Sequence, residues 1–108
     1  MSPSRVQVTW QASPDVPPNN IVEYHVFRDG QLIGSTPPVT TQYFDSTTPS
    51  GELTYNRLDG TVLTSVTAMP PTLVTGMSHI YSVTVLFRDG KQFRETSIGS
   101  TTDSLFVP

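Results

Sequence analysis

Cysteine is absent from this 108-residue chain, lysine occurs once (Lys91), and no apolar run approaches the ~18 residues a membrane-spanning helix requires. Without thiols there is no disulfide framework, no thiolate nucleophile and no cysteine-ligated metal. The redox compartment stays open, since a cysteine-free domain survives inside or outside a cell. Six basic residues stand singly against nine acidic ones, for a formal net charge of −3. Phosphate binding needs clustered cations, so no nucleic-acid partner is expected, and the lack of a long apolar run predicts no membrane insertion. The opening MSPSRVQVTW carries no apolar stretch of secretory-signal length. That predicts either a domain cut from a longer secreted chain behind an added Met, or a protein that works where it is made.

Groups that do chemistry are equally sparse. The two histidines, His25 and His79, have Glu23 and Asp89 as their nearest acidic neighbours in sequence, which is no metal-ligand spacing. There is no Gly-x-Ser-x-Gly elbow, and the carboxylates are scattered through turns rather than paired for glycoside hydrolysis. The expectation is a non-enzyme with no cofactor and no metal.

What the chain has in quantity is Ser and Thr, about a quarter of the residues, and ten prolines, a composition that suits short strands and turns. Phe27-Arg28-Asp29-Gly30 recurs as Phe87-Arg88-Asp89-Gly90, each after a β-branched and aromatic run and before a second short run. Asp-Gly is the favoured centre of a two-residue hairpin, so the chain is expected to make this hairpin twice, and a third time at Asp59-Gly60. Val6, Val8 and Trp10 alternate with polar residues and predict a strand over 5–11. Three prolines and Asn19-Asn20 make 13–20 a loop. A strand over 21–28, with Tyr24 and Val26 on one face and His25 and Phe27 on the other, leads to a return strand over 31–35. Another short run over 40–45 leaves open which of Tyr43 and Phe44 faces inward. Runs over 52–58 and 61–68 flank Asp59-Gly60. His79, Tyr81, Val83, Val85 and Phe87 then share a face of a long strand, followed by strands over about 92–100 and at Leu105-Phe106-Val107. No amphipathic helix is expected. At this length the chain is read as one domain, 1–108, and as an antiparallel β-sandwich.

Three segments resemble a fibronectin type III domain of the immunoglobulin-like superfamily. The segment from Val6 to Trp10 resembles the family's B strand, with its core Trp, and IVEYHVFRDG at 21–30 resembles its C strand. LVTGMSHIYSVTV at 73–85 resembles its E-to-F corner and F strand. The resemblance implies about seven strands with one addition, an inserted hairpin at about 46–72 where the family needs only a few residues. His79 stands where the family usually has a Tyr that ties the corner to backbone, a bond an imidazole N–H could also make. Only Ser2 to Ser4 precede the first strong strand, so the family's A strand is missing or very short, leaving an open edge that the insertion or another chain would cover. Some family members bind integrins through Arg-Gly-Asp; here the loop reads Arg-Asp-Gly, and that activity does not carry over.

The Phe-Arg-Asp-Gly repeats are read as turn chemistry with solvated charges. The insertion is the strongest candidate contact element, because Leu53, Tyr55, Leu58, Val62, Leu63, Val66 and Met69 exceed what a plain loop carries and a free hairpin is marginal in water. It must pack on its own domain or on a neighbouring subunit. Tyr43 and Phe44, with Tyr55 and Phe27, are candidate aromatics for a glycan. The expected function is therefore a structural or adhesion module, extracellular, on a cell surface or in a virion such as a phage tail or capsid decoration. Its contacts would run to protein, or to itself, through the insertion and first-strand edge. The alternative is a spacer or carbohydrate-binding accessory domain of a secreted bacterial enzyme or surface protein.

Overall fold

The computed structural model describes residues 5–12, 15–47 and 51–98, together with the backbone of 105–107. Within them the chain is all-β, with several antiparallel sheets compatible with a β-sandwich and one 3-10 turn, Pro18–Asn20. The first strand, β1 (Arg5–Thr9), pairs antiparallel with β4 (Gln42–Ser46). Opposite them lies a four-stranded sheet in the order β3 (Gln31–Thr36), β2 (Ile21–Arg28), β8 (Tyr81–Asp89), β9 (Gln92–Ser97). The insertion is a separate hairpin, β5 (Leu53–Asp59) and β6 (Val62–Ala68). The short strand β7 (Met77–His79) pairs with β10 (Leu105–Val107). The sequence loop over 13–20 and the last-sheet strand over about 92–100 extend in part beyond the described residues.

Alternation explains the core. Val8 and Trp10 from the β1 segment meet Tyr24 and Val26 of β2, Ile33 of β3 and Tyr81, Val83 and Val85 of β8, all buried, with Tyr43 of β4 packed against them. Each such side chain contributes roughly 1.5–3 kcal/mol on burial. The Trp10 and Tyr24 rings meet edge to face at 5.5 Å. Tyr43 therefore faces inward and Phe44 outward, as neighbours on a strand must. Gly34 is required opposite Tyr43, since a Cβ there would collide with the ring.

The expected long strand over 79–87 is interrupted at Ile80, whose backbone N–H and C=O bind Asp29 instead of a sheet neighbour. All three Asp-Gly hairpins form, but only one is centred on Asp-Gly. In β2–β3 the pair Arg28↔Gln31 encloses Asp29 (φ +53°) and Gly30 (φ +82°), as a type I′ turn requires. In β5–β6 and β8–β9 the closing pairs are Asp59↔Val62 and Asp89↔Gln92. The turns there are Gly60-Thr61 and Gly90-Lys91, with only the glycine at positive φ, which fits type II′.

Candidate functional site

The insertion does not close the edge of β1. Its strand β5 packs on β3 and β9, and β6 on β9, across the outer face of the four-stranded sheet. Pairing in register splits the candidate contact residues. Leu53, Tyr55, Val62 and Val66 share one face of the hairpin, and Leu58 and Leu63 the other. All are half-buried except Val62, which is 60 % exposed. Both faces are partly covered because β5 meets the sheet with its free edge. The Asn56 backbone N–H points away from β6 and donates to Glu23 Oε2 at 2.9 Å, while its Nδ2 donates to Glu23 Oε1 at 2.7 Å. On one side Tyr55 stands edge-on to His25 at 5.7 Å; on the other, Leu58 lines a groove with Phe93 and Glu95.

Under this edge lies the densest polar cluster of the outer face. Glu23 and His25, two apart on β2, share that face. His25 Nε2 is 2.6 Å from Glu23 Oε2 and Nδ1 3.0 Å from Glu95 Oε2. Ser35 donates to Glu23 at 3.1 Å, and Thr84 donates to Glu95. Burial by itself would lower the pKa of His25, but the hydrogen bonds and charges of Glu95 and Glu23 outweigh it and raise it. Glu23 and Glu95 respond in the opposite sense. Burial would raise each, yet the Asn56 N–H and His25 hold Glu23 low, and His25 and Thr84 hold Glu95 low. With a carboxylate oxygen facing each ring nitrogen, the cluster favours the imidazolium form of His25, clamped between two carboxylates. Both ring nitrogens are engaged and the ring is buried, so the arrangement binds elements together rather than presenting a base or a ligand.

A second cluster corrects the reading of Arg28 as a solvated turn charge. Tyr24, Val26 and Arg28 occupy alternate positions of β2, so Arg28 points into the core side and is only 5 % exposed. Its Nη1 donates to both carboxylate oxygens of buried Asp45 at 2.7 Å. Its Nη2 donates to the carbonyls of Pro71 (3.1 Å) and Thr72 (2.8 Å), anchoring the end of the insertion. Tyr81 donates to Asp45 at 2.6 Å; burial first, then that carboxylate, pushes its phenol well up.

The third cluster braces the corner. His79 Nε2 lies 2.6 Å from the Val74 carbonyl and Nδ1 2.6 Å from Asp29 Oδ2, while Ile80 N–H donates to Asp29 Oδ1 at 2.9 Å. The Val74 carbonyl and then Asp29 raise the His79 pKa, and His79 with the Ile80 N–H lowers that of Asp29.

Tyr43 and Phe44, proposed for a glycan, do not share a surface. Tyr43 donates to the Ile33 carbonyl at 2.8 Å from inside the sandwich, and Phe44 points outward beneath the Arg5 guanidinium, 4.5 Å from the ring centre. Sequence reasoning missed the first two clusters; of the third it anticipated the His79 bond to corner backbone but not Asp29. The spacing Glu23-x-His25 and the alternation ending in Arg28 were usable signals; Glu95, Asp45 and Asn56 arrive from distant strands and left none. Among the described residues no group of His, Asp and Glu is arranged to hold a metal ion, and no helix is long and apolar enough to cross a membrane. Comparison with known proteins finds no matching family model, no matching curated protein and no matching solved structure.

Proposed function

We propose that the chain is a fibronectin type III-like sandwich serving as a non-catalytic structural or adhesion module, in an extracellular, cell-surface or virion setting. It makes protein contacts, including contacts with its own copies, through the insertion and the strand that follows it. The fold part of this reading is supported by β1, followed directly by the buried Trp10, paired with β4 and facing β3-β2-β8-β9, and by the His79 bond to the Val74 carbonyl at the corner where the family carries its Tyr.

The observation that carries the contact reading is where apolar surface stays open. Among the described residues seven large apolar side chains are exposed, and five of them, Val62, Met69, Val74, Met77 and Ile80, fall between residues 62 and 80. Exposed apolar side chains that gather into a patch mark interaction surfaces, and this stretch of the chain is where most of the open ones are found. The polar clusters, by contrast, are consumed in holding strands together.

Light scattering across a concentration series tests this on the full chain and on the double variant Val62→Asp/Met69→Asp. Both sites are open, so the changes leave stability within about 0.5 kcal/mol. The expected result is a mass that rises above the monomer for the parent chain and stays monomeric for the variant. A parent chain that remains monomeric throughout overturns self-contact through this surface.

A further inference from the structure

We propose that Glu23 is the catch of an acid-released latch, and that the β5–β6 hairpin lifts from the outer face of its own sheet when that carboxylate is protonated. Glu23 faces the His25 ring N–H, the Ser35 hydroxyl, the Asn56 backbone N–H and the Asn56 side-chain amide, four donors converging on two oxygens. An ionised carboxylate can accept all four. A protonated one gives up an acceptor site and directs an O–H among donors. Two of the four bonds belong to the hairpin, and the other backbone bond from it to the sheet, Phe93 N–H to the Thr61 carbonyl, is 3.4 Å long. Protonating Glu23 therefore removes the main polar hold on the hairpin, while the core between the two sheets is untouched.

The groups around this carboxylate are His25 on β2, Ser35 on β3, Tyr55 and Asn56 on β5, Thr84 on β8, and Glu95 on β9. His25 sets the opposite limit. Once neutral it keeps a single N–H, so one of its two carboxylates then faces a lone pair. Release of the hairpin would uncover Leu86, which is fully buried, lies outside the main core and sits between Glu23 and Glu95 in register. The latch does not depend on self-association, since its readout is docking of the hairpin within one chain.

The test is amide hydrogen exchange by NMR on the full chain, comparing protection at 53–68 with protection in β2 and β8. From about pH 5.5 to about pH 3, hairpin protection is expected to fall roughly tenfold or more relative to the core strands. Glu23→Gln should leave the hairpin open at both pH values. Asn56→Asp, which sets a second carboxylate against Glu23, should open it near pH 5.5 with the core strands still protected. Hairpin and core amides that lose protection in step at every pH overturn the latch. So does parental protection of the hairpin in both variants.

Discussion

Two copies of Phe-Arg-Asp-Gly sit at the ends of adjacent strands of one sheet, and they do different things. In the first, Arg28 is buried against Asp45 and Asp29 occupies the turn itself, held at positive φ by His79 and Ile80. In the second, Asp89 is still a ladder residue and Gly90-Lys91 makes the turn. Its ion pair with Arg94, at 2.9 Å, joins side chains 51 % and 60 % exposed, and Arg88 lies 5.7 Å from the Phe93 ring centre. The difference lies in what surrounds each turn. The first abuts the corner before β8 and the end of the insertion, where partners wait for both charges. The second protrudes into solvent, where exposed ion pairs contribute little.

The sharpest way to break this contrast is to remove the arginines in turn. Arg28→Ala leaves Asp45 buried without its partner and should cost about 3–5 kcal/mol, whereas Arg88→Ala should stay within about 0.5 kcal/mol. Urea unfolding followed by Trp10 fluorescence reads both, and equal midpoints would end the distinction. Glycines supply the next test. Gly34→Ala drives a methyl into the Tyr43 ring and should cost roughly 1–3 kcal/mol. Gly90→Ala meets no neighbouring atom and bears only its φ of +66°, about 1–2 kcal/mol.

The aspartates follow. Asp29→Ala loses two hydrogen bonds in a left-handed position and should cost about 1–2 kcal/mol, against no more than about 0.5 for Asp89→Ala, both measured by thermal melts. The Asp29–His79 pair should also make the first hairpin pH-sensitive. Asp29 lies below its ordinary 3.8, so its contribution is present above that pH and is lost as pH falls through the lowered value. His79 lies above its ordinary 6.5, so its contribution is complete below that pH and is lost as pH rises through the raised value. The parent chain should therefore gain its largest margin over His79→Gln between those limits, and a margin that does not vary with pH would contradict the pairing. The tyrosines come last: the Tyr24 hydroxyl finds no partner among the described residues, so Tyr24→Phe should be neutral or stabilising by up to about 1 kcal/mol, while Tyr81→Phe should destabilise.

Strand placement was largely legible. β2 runs over the residues that alternation marks, and Tyr24 and Val26 against His25 and Phe27 divide as the period-2 pattern requires. The hairpin positions at Asp29, Gly60 and Gly90 were legible too, because glycine at positive φ is a local requirement. The one-residue difference in turn register was not, since the donors that hold the Asp29 carboxylate, His79 and the Ile80 N–H, come from a segment about fifty residues away. The candidate site was legible in halves. Glu23 and His25 share a strand face by spacing, but their clamp needs Glu95 from β9 and Asn56 from the insertion.

Side-chain direction along a strand, the need for glycine at a turn and the surplus of apolar residues in the insertion follow from nearest neighbours in the chain, and the residues alone suffice to state them. Whether Arg28 is a surface charge or a buried anchor, and whether the insertion lies over an edge or a sheet face, were settled only when strands distant in sequence supplied the counter-charges and donors. Electrostatic and hydrogen-bond partners are chosen in space, and a buried charge has no stable place until the fold brings its partner to it.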